Sequence, residues 1–147
     1  MMVTIGSDHA GFEYKTKIKS YLENQGVKVD DEGTYSSQPA DYPDFAYKVA
    51  KKVQSGTVDF GVLICETGIG VSIAANKVDG VRAAVVSSEF TAESAKNHNL
   101  ANVICFGSRV NSIEEVFHFL DVFMRTNNST LERHLNRVKK IKEIEGK

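Results

Sequence analysis

The chain has 147 residues, 41% of them hydrophobic and 25% charged, which is enough for one compact domain with a full core. Its net charge of −1 supplies no basic surface for nucleic acid or an anionic membrane, and no apolar stretch nears the ~20 residues of a membrane span. Met1 to Ile5 runs directly into a strand with no leader pattern, and Cys65 and Cys105 end separate apolar runs, so a cytoplasmic protein with reduced thiols is expected.

Apolar strand-like runs alternate with helical patterns along the whole chain. Val3 to Ile5 reads as a strand. Phe12 to Gln25 reads as a helix with Tyr14, Ile18, Tyr21 and Leu22 on one face, closed by Gly26. Val27 to Val29 is a second strand, and the polar stretch Asp30 to Pro43 is the longest loop and a wall for a site. Phe45, Ala46, Val49, Ala50 and Val53 mark a helix ended by Gly56. The continuous apolar run Phe60 to Cys65 suits a strand covered on both faces, and Val71 to Asn76 is a short helix. Ala83 to Val86 is a strand, Thr91 to His98 a helix and Val103 to Phe106 a fifth strand. Ser112 with Glu115 is a capping box opening a helix whose stripe is Ile113, Val116, Phe117, Leu120 and Phe123; Ser129 with Glu132 is read as opening another. Strict βα alternation predicts an α/β three-layer sandwich with a five-stranded parallel sheet, as one domain over residues 1–147.

In such a sheet every βα turn lies at the carboxyl edge, where α/β proteins place their ligands. Gly6 to Gly11, Cys65 to Ser72 and Gly107-Ser108-Arg109 therefore share one rim, and Asp8, His9, Cys65, Thr67 and Arg109 can line one cleft. Cys65 is followed by Thr67-Gly68-Ile69-Gly70, a turn that can aim backbone N–H groups at an anion, which favours a reactive thiol there over a core residue. Cys105 has no such turn and reads as core. His98 and Asn99 end a helix descending from the carboxyl edge and belong at the opposite rim, so a second subunit must bring them if they act with Cys65.

Seven segments in order carry a resemblance: Gly6-Ser7-Asp8-His9-Ala10-Gly11, Asp41-Tyr42-Pro43, Cys65-Glu66-Thr67-Gly68-Ile69-Gly70, Ser72-Ile73-Ala74-Ala75-Asn76-Lys77, His98-Asn99, Gly107-Ser108-Arg109-Val110 and Arg133-His134-Leu135-Asn136-Arg137-Val138. Together they resemble the type B ribose-5-phosphate isomerases and their galactose-6-phosphate and allose-6-phosphate isomerase relatives. The resemblance implies a Rossmann-like sheet and an aldose–ketose isomerase that needs neither metal nor other cofactor. It also implies a homodimer or homotetramer with sites shared between subunits, and a phosphorylated sugar as substrate.

The chemistry of that reaction asks for these residue types. Moving a proton between C2 and C1 needs a base, for which Cys65 stands ready, and the enediolate oxygen needs donors, which the N–H groups of Gly68, Ile69, Gly70 and Ser72 supply. The Thr67 hydroxyl passes a proton between O1 and O2. By the resemblance, His98 protonates the ring oxygen during opening, with Asp8 and Asn99 at the sugar. His9, Arg133 and Arg137 are the phosphate groups; the two arginines, four apart, share a helix face. Arg109 completes the binding set, and Tyr42 either packs over the sugar as a cleft wall, the favoured reading, or anchors the loop.

Plainer readings remain beside these. His118 is an ordinary surface or half-buried side chain, His134 faces either solvent or a neighbouring subunit, and Lys139, Lys140 and Lys142 form a solvated face. Gly68-Ile69-Gly70 with Glu89 about twenty residues on mimics a dinucleotide fingerprint, but Ile73 occupies the third glycine's place, so a nucleotide-binding module is the weaker alternative. A six-carbon sugar phosphate is the nearer alternative, and a non-catalytic sugar-phosphate-binding subunit is a third. The scattered histidines and cysteines lack the short spacings of a metal site. Glu66 replaces the glycine usual in the resembled family. Aimed into the cleft at ~6 Å it would cost ~3 kcal/mol at an effective dielectric of ~20, so it is expected to turn away, toward solvent or a cation.

Overall fold

The computed structural model of the chain describes residues 1–146. Five strands, β1 (Met2–Ser7), β2 (Lys28–Asp31), β3 (Phe60–Cys65), β4 (Ala83–Val85) and β5 (Val103–Gly107), form one parallel sheet in the order β2-β1-β3-β5-β4. Six helices accompany them: α1 (Phe12–Asn24), α2 (Tyr42–Gln54), α3 (Ile69–Ala75), α4 (Glu89–Asn97), α5 (Ile113–Arg125) and α6 (Glu132–Glu145). This is the expected three-layer α/β sandwich.

The two-residue period of the strands divides the core. Val3, Ile5, Val62, Ile64, Ile104 and Phe106 face α1, α4 and α5, whereas Leu63, Cys65, Val103 and Cys105 face α2 and α3. β3 and β5 are buried at every residue, which is why their sequences are unbroken apolar runs. On α1 the half-buried tyrosines keep their hydroxyls bonded: Tyr14 donates to the Asn111 carbonyl (2.8 Å) and Tyr21 to Asp121 (2.6 Å).

Several boundaries differ from the sequence reading. β2 begins one residue later and extends to Asp31, because Met2 to Ile5 pair with Lys28 to Asp31. α2 starts at Tyr42, with Pro43 in its first turn where a missing N–H costs nothing. α4 opens on a Ser88–Thr91 capping box that the sequence reading had passed over. α5 buries Phe119 and Val122 besides the expected Val116, Leu120 and Phe123, while Ile113 and Phe117 are only partly covered. Ser129 and Glu132 do not form a capping box: α6 is capped at Leu131 with no side-chain bond.

Candidate active site

The sheet order puts a topological switch point between β1 and β3, since the chain leaves these neighbours toward opposite edges. Open α/β sheets bind ligands at the carboxyl end of such a pair. Ser7 pairs with Ile64, so Asp8, the next residue, is level with Cys65 just past the end of β1. On the other side Cys65 pairs with Gly107. Asp8 is 7% and Cys65 4% exposed.

The turn after β3 is tightly built. The Gly68 N–H donates to Cys65 Sγ (3.2 Å), and the Ile69 N–H donates to Thr67 Oγ1 (3.1 Å). Gly68 has φ +81°, a conformation that favours glycine. The Ser72 hydroxyl donates to the Ile69 carbonyl (2.7 Å) and its N–H to the Gly68 carbonyl (3.3 Å). Of the donors expected from Gly68 to Ser72, those of Gly68, Ile69 and Ser72 are therefore engaged within the turn. The N–H groups of Gly70 and Val71 precede the first intrahelical bond and are the ones left for an anion.

The walls come from other elements. A Cβ on Gly70 would stand 2.7 Å from the Tyr42 ring, so Tyr42 lies against the turn. The Asp8 carboxylate accepts the Gly11 N–H (3.1 Å). His9 Nδ1 is held by the backbone of Ala40, 3.1 Å from its N–H and 3.3 Å from its carbonyl oxygen, which leaves Nε2 as the outward nitrogen. Loop 32–41, which carries Ala40, is anchored by a pair the sequence did not flag: Lys15, 2% exposed, reaches both Asp31 carboxylate oxygens at 2.8 and 2.6 Å. A lone lysine on a helix gives no local sign of burial; only the packing of α1 against β2 sends it inward.

Arg109 departs from its expected part. Its guanidinium donates to Glu66 Oε1 (3.0 Å) at the rim, and its N–H donates to the Glu66 carbonyl (3.0 Å). Glu66 has negative φ, because Leu100 is the one non-glycine residue with positive φ among the described residues. The charge argument thus finds its cation in Arg109.

The remaining residues form a second group at the amino edge. His98 caps the C-terminal end of α4, with Asn99 next to it, and both are exposed. Arg133 and Arg137 on α6 are exposed beside buried His134, whose ring lies 4.5 Å from that of His98. Burial, then the charges of His98, Arg133 and Arg137, hold the His134 imidazole below its ordinary pKa. Within the chain this group is not joined to Asp8, His9, Cys65 and Thr67. Cys105 is fully buried, and burial pushes its thiol pKa far up, followed by the charge of Cys65. His118 is half exposed and bonded to Glu89 (3.1 Å). Among the described residues no helix is long and apolar enough to cross a membrane, and no cluster of three or more His, Cys, Asp or Glu could hold a metal ion.

A model of the Ribose/Galactose Isomerase family matches residues 3–141. The chain belongs to that family. Ribose-5-phosphate isomerase B of Escherichia coli (strain K12) is 44% identical over 143 residues, covering 97% of this chain and 95% of the relative. The solved Clostridium thermocellum ribose-5-phosphate isomerase B superposes with a TM-score of 0.97 at 43% identity, covering 99% and 98% of the two chains. The Mycoplasma genitalium ribose-5-phosphate isomerase B, crystallised with bound ribulose 5-phosphate, gives 0.93 at 42% identity, covering 99% and 97%. Among these isomerases the present fold is thus an ordinary member across nearly its full length.

Proposed function

We propose that the chain, as one domain over residues 1–147, interconverts ribose 5-phosphate and ribulose 5-phosphate through an enediolate. The observation that carries this is a buried thiol at a sheet switch point, bonded to a glycine-turn N–H and level with a buried carboxylate, in a member of this family. In the furanose the C1–O4 bond breaks with its electron pair on O4, which takes a proton from His98 while Asp8 takes the O1 proton. The Cys65 thiolate then removes the C2 proton, and the freed pair forms the C1=C2 bond as charge passes to O1. The Gly70 and Val71 N–H groups answer that charge, Thr67 carries a proton between O1 and O2, and the Cys65 thiol returns its proton to C1. Ile69 and Ser72 hold the turn, and Tyr42 covers the sugar.

His98, Asn99, Arg133 and Arg137 reach this cleft from a second copy of the chain, in a homodimer or homotetramer. Support comes from their place at the opposite sheet edge and from apolar side chains left exposed beside both groups: Ile69, Ile73 and Val110 near the cleft, Leu131 and Leu135 near the arginines. The phosphate lies between His9 Nε2 and the two arginines. Both cysteines are free, which suits a cytoplasmic setting.

One assay comparing ribose 5-phosphate with allose and galactose 6-phosphates tests the substrate. Ribose 5-phosphate is expected to give the highest kcat/KM; a hexose phosphate exceeding it overturns the assignment. Cys65→Ala is expected to abolish exchange of the substrate C2 proton with solvent while leaving phosphate binding intact. Near-normal exchange removes Cys65 as the base.

A further inference from the structure

The isomerase reading leaves a buried histidine without a task. His134 is 7% exposed, and its Nδ1 stands 2.6 Å from the Oγ of Ser129, which is also 7% exposed. Ser129 is fixed from two further directions. Its N–H donates to the Asn97 carbonyl at the end of α4 (3.0 Å), and its Oγ accepts the Leu131 N–H (3.0 Å). The His134 Nδ1–Ser129 Oγ pair is a hydrogen bond in which either group donates according to the imidazole tautomer.

His98 needs such a neighbour. Its side chain is exposed, and its ring makes no hydrogen bond among the described residues, so its rotamer would otherwise be free. The contact that restrains it is the His134 ring, with centroids 4.5 Å apart and planes inclined by 38°. From this geometry we propose that His134, held by Ser129, is a positioning residue that fixes the His98 imidazole for proton delivery to the sugar ring oxygen. The groups facing His134 are His98, Arg133 and Arg137, and together with burial they keep it uncharged, so it does not oppose a proton on His98. The inference rests on the ring-opening role of His98 given above.

Ribulose 5-phosphate provides the test, because with its C5 oxygen esterified it cannot close a furanose ring. Exchange of its C1 proton in deuterium oxide therefore bypasses ring opening, whereas turnover of ribose 5-phosphate does not. Ser129→Ala is expected to lower kcat with ribose 5-phosphate by about three- to tenfold, the effect of one lost hydrogen bond. KM and the C1 exchange rate stay within about twofold of the parent, as a bond outside the phosphate and carbon-acid sites requires. His134→Phe, which keeps a ring and loses the Ser129 bond, behaves likewise, and Ser129→Thr, which keeps the hydroxyl, recovers most of the loss. Equal losses in both reactions, a rise in KM alone, or no change in Ser129→Ala overturns the proposal. His98→Asn separates the two possible failures. If it too slows both reactions equally, the ring-opening role of His98 falls and the positioning role with it; if it slows only ribose 5-phosphate turnover while Ser129→Ala does not, the positioning role alone falls.

Discussion

Gly107→Ala is the substitution whose effect the structure allows to be worked most closely. Gly107 ends β5 opposite Cys65, and a Cβ there would stand 2.6 Å from the Thr67 carbonyl carbon and 2.7 Å from its Cα and O. These are backbone atoms, so no rotamer change relieves the clash. The two segments are also stitched together by the Ser108 N–H to Cys65 carbonyl bond (2.9 Å) and the Arg109 N–H to Glu66 carbonyl bond (3.0 Å). Restoring ordinary contact at about 3.4 Å requires the Thr67 turn to retreat by about 0.7–0.8 Å. That moves Cys65 Sγ relative to the Gly68 N–H and shifts the Gly70 and Val71 donors. Misplacement of reacting groups by ~1 Å costs up to ~100-fold, so a ~10–100-fold fall in kcat is expected, together with ~1–3 kcal/mol of lost stability from overpacking. Steady-state rates with ribose 5-phosphate and urea denaturation measure the two separately. Gly80→Ala is the control: Gly80 has φ +84° and nothing within 4 Å of its would-be Cβ, so it loses ~1–2 kcal/mol of backbone stability without touching the turn. If Gly107→Ala keeps kcat within about twofold while its stability falls, close seating of the Thr67 turn does not govern catalysis.

Glu66→Gly removes a carboxylate already paired with Arg109 in an exposed ion pair worth less than ~1 kcal/mol, so kcat/KM should change only a few-fold; a gain near a hundredfold would mean that Glu66 faces the cleft. Mixed dimers of Cys65→Ala and His98→Ala chains should recover activity, since one of their two sites then holds both native residues. Persistent inactivity after verified subunit exchange refutes shared sites. The raised pKa of buried Cys105 predicts an alkaline weakness. The folded thiol stays protonated where the unfolded one ionises, so stability falls as pH rises above ~8.5, by ~1.4 kcal/mol per pH unit for that proton. Cys105→Ala should flatten the slope of unfolding free energy against pH between about 8.5 and 10, and an unchanged slope would contradict it.

The sequence by itself determined what depends on neighbours along the chain. Apolar runs at Phe60–Cys65 and Val103–Phe106, between amphipathic helices, announce strands buried on both faces and hence a parallel α/β sheet. Gly68 after Cys65 and Thr67 marks a turn whose φ few other residues tolerate, and Ser112 with Glu115 marks a cap; both are local devices and formed as read. The choice among neighbours in space belonged to the tertiary structure. It set Asp8 level with Cys65, turned Arg109 onto Glu66 and drew Lys15 inward to Asp31. Ser129 illustrates the reason. Its spacing to Glu132 is that of a capping box, worth ~1 kcal/mol, but a buried imidazole nitrogen left without a partner costs ~1–3 kcal/mol. The hydroxyl is therefore paired with His134, and α6, capped at Leu131, begins at Glu132. Periodicity and caps report how each element meets water; which buried polar groups must satisfy one another is decided only when the elements are brought together.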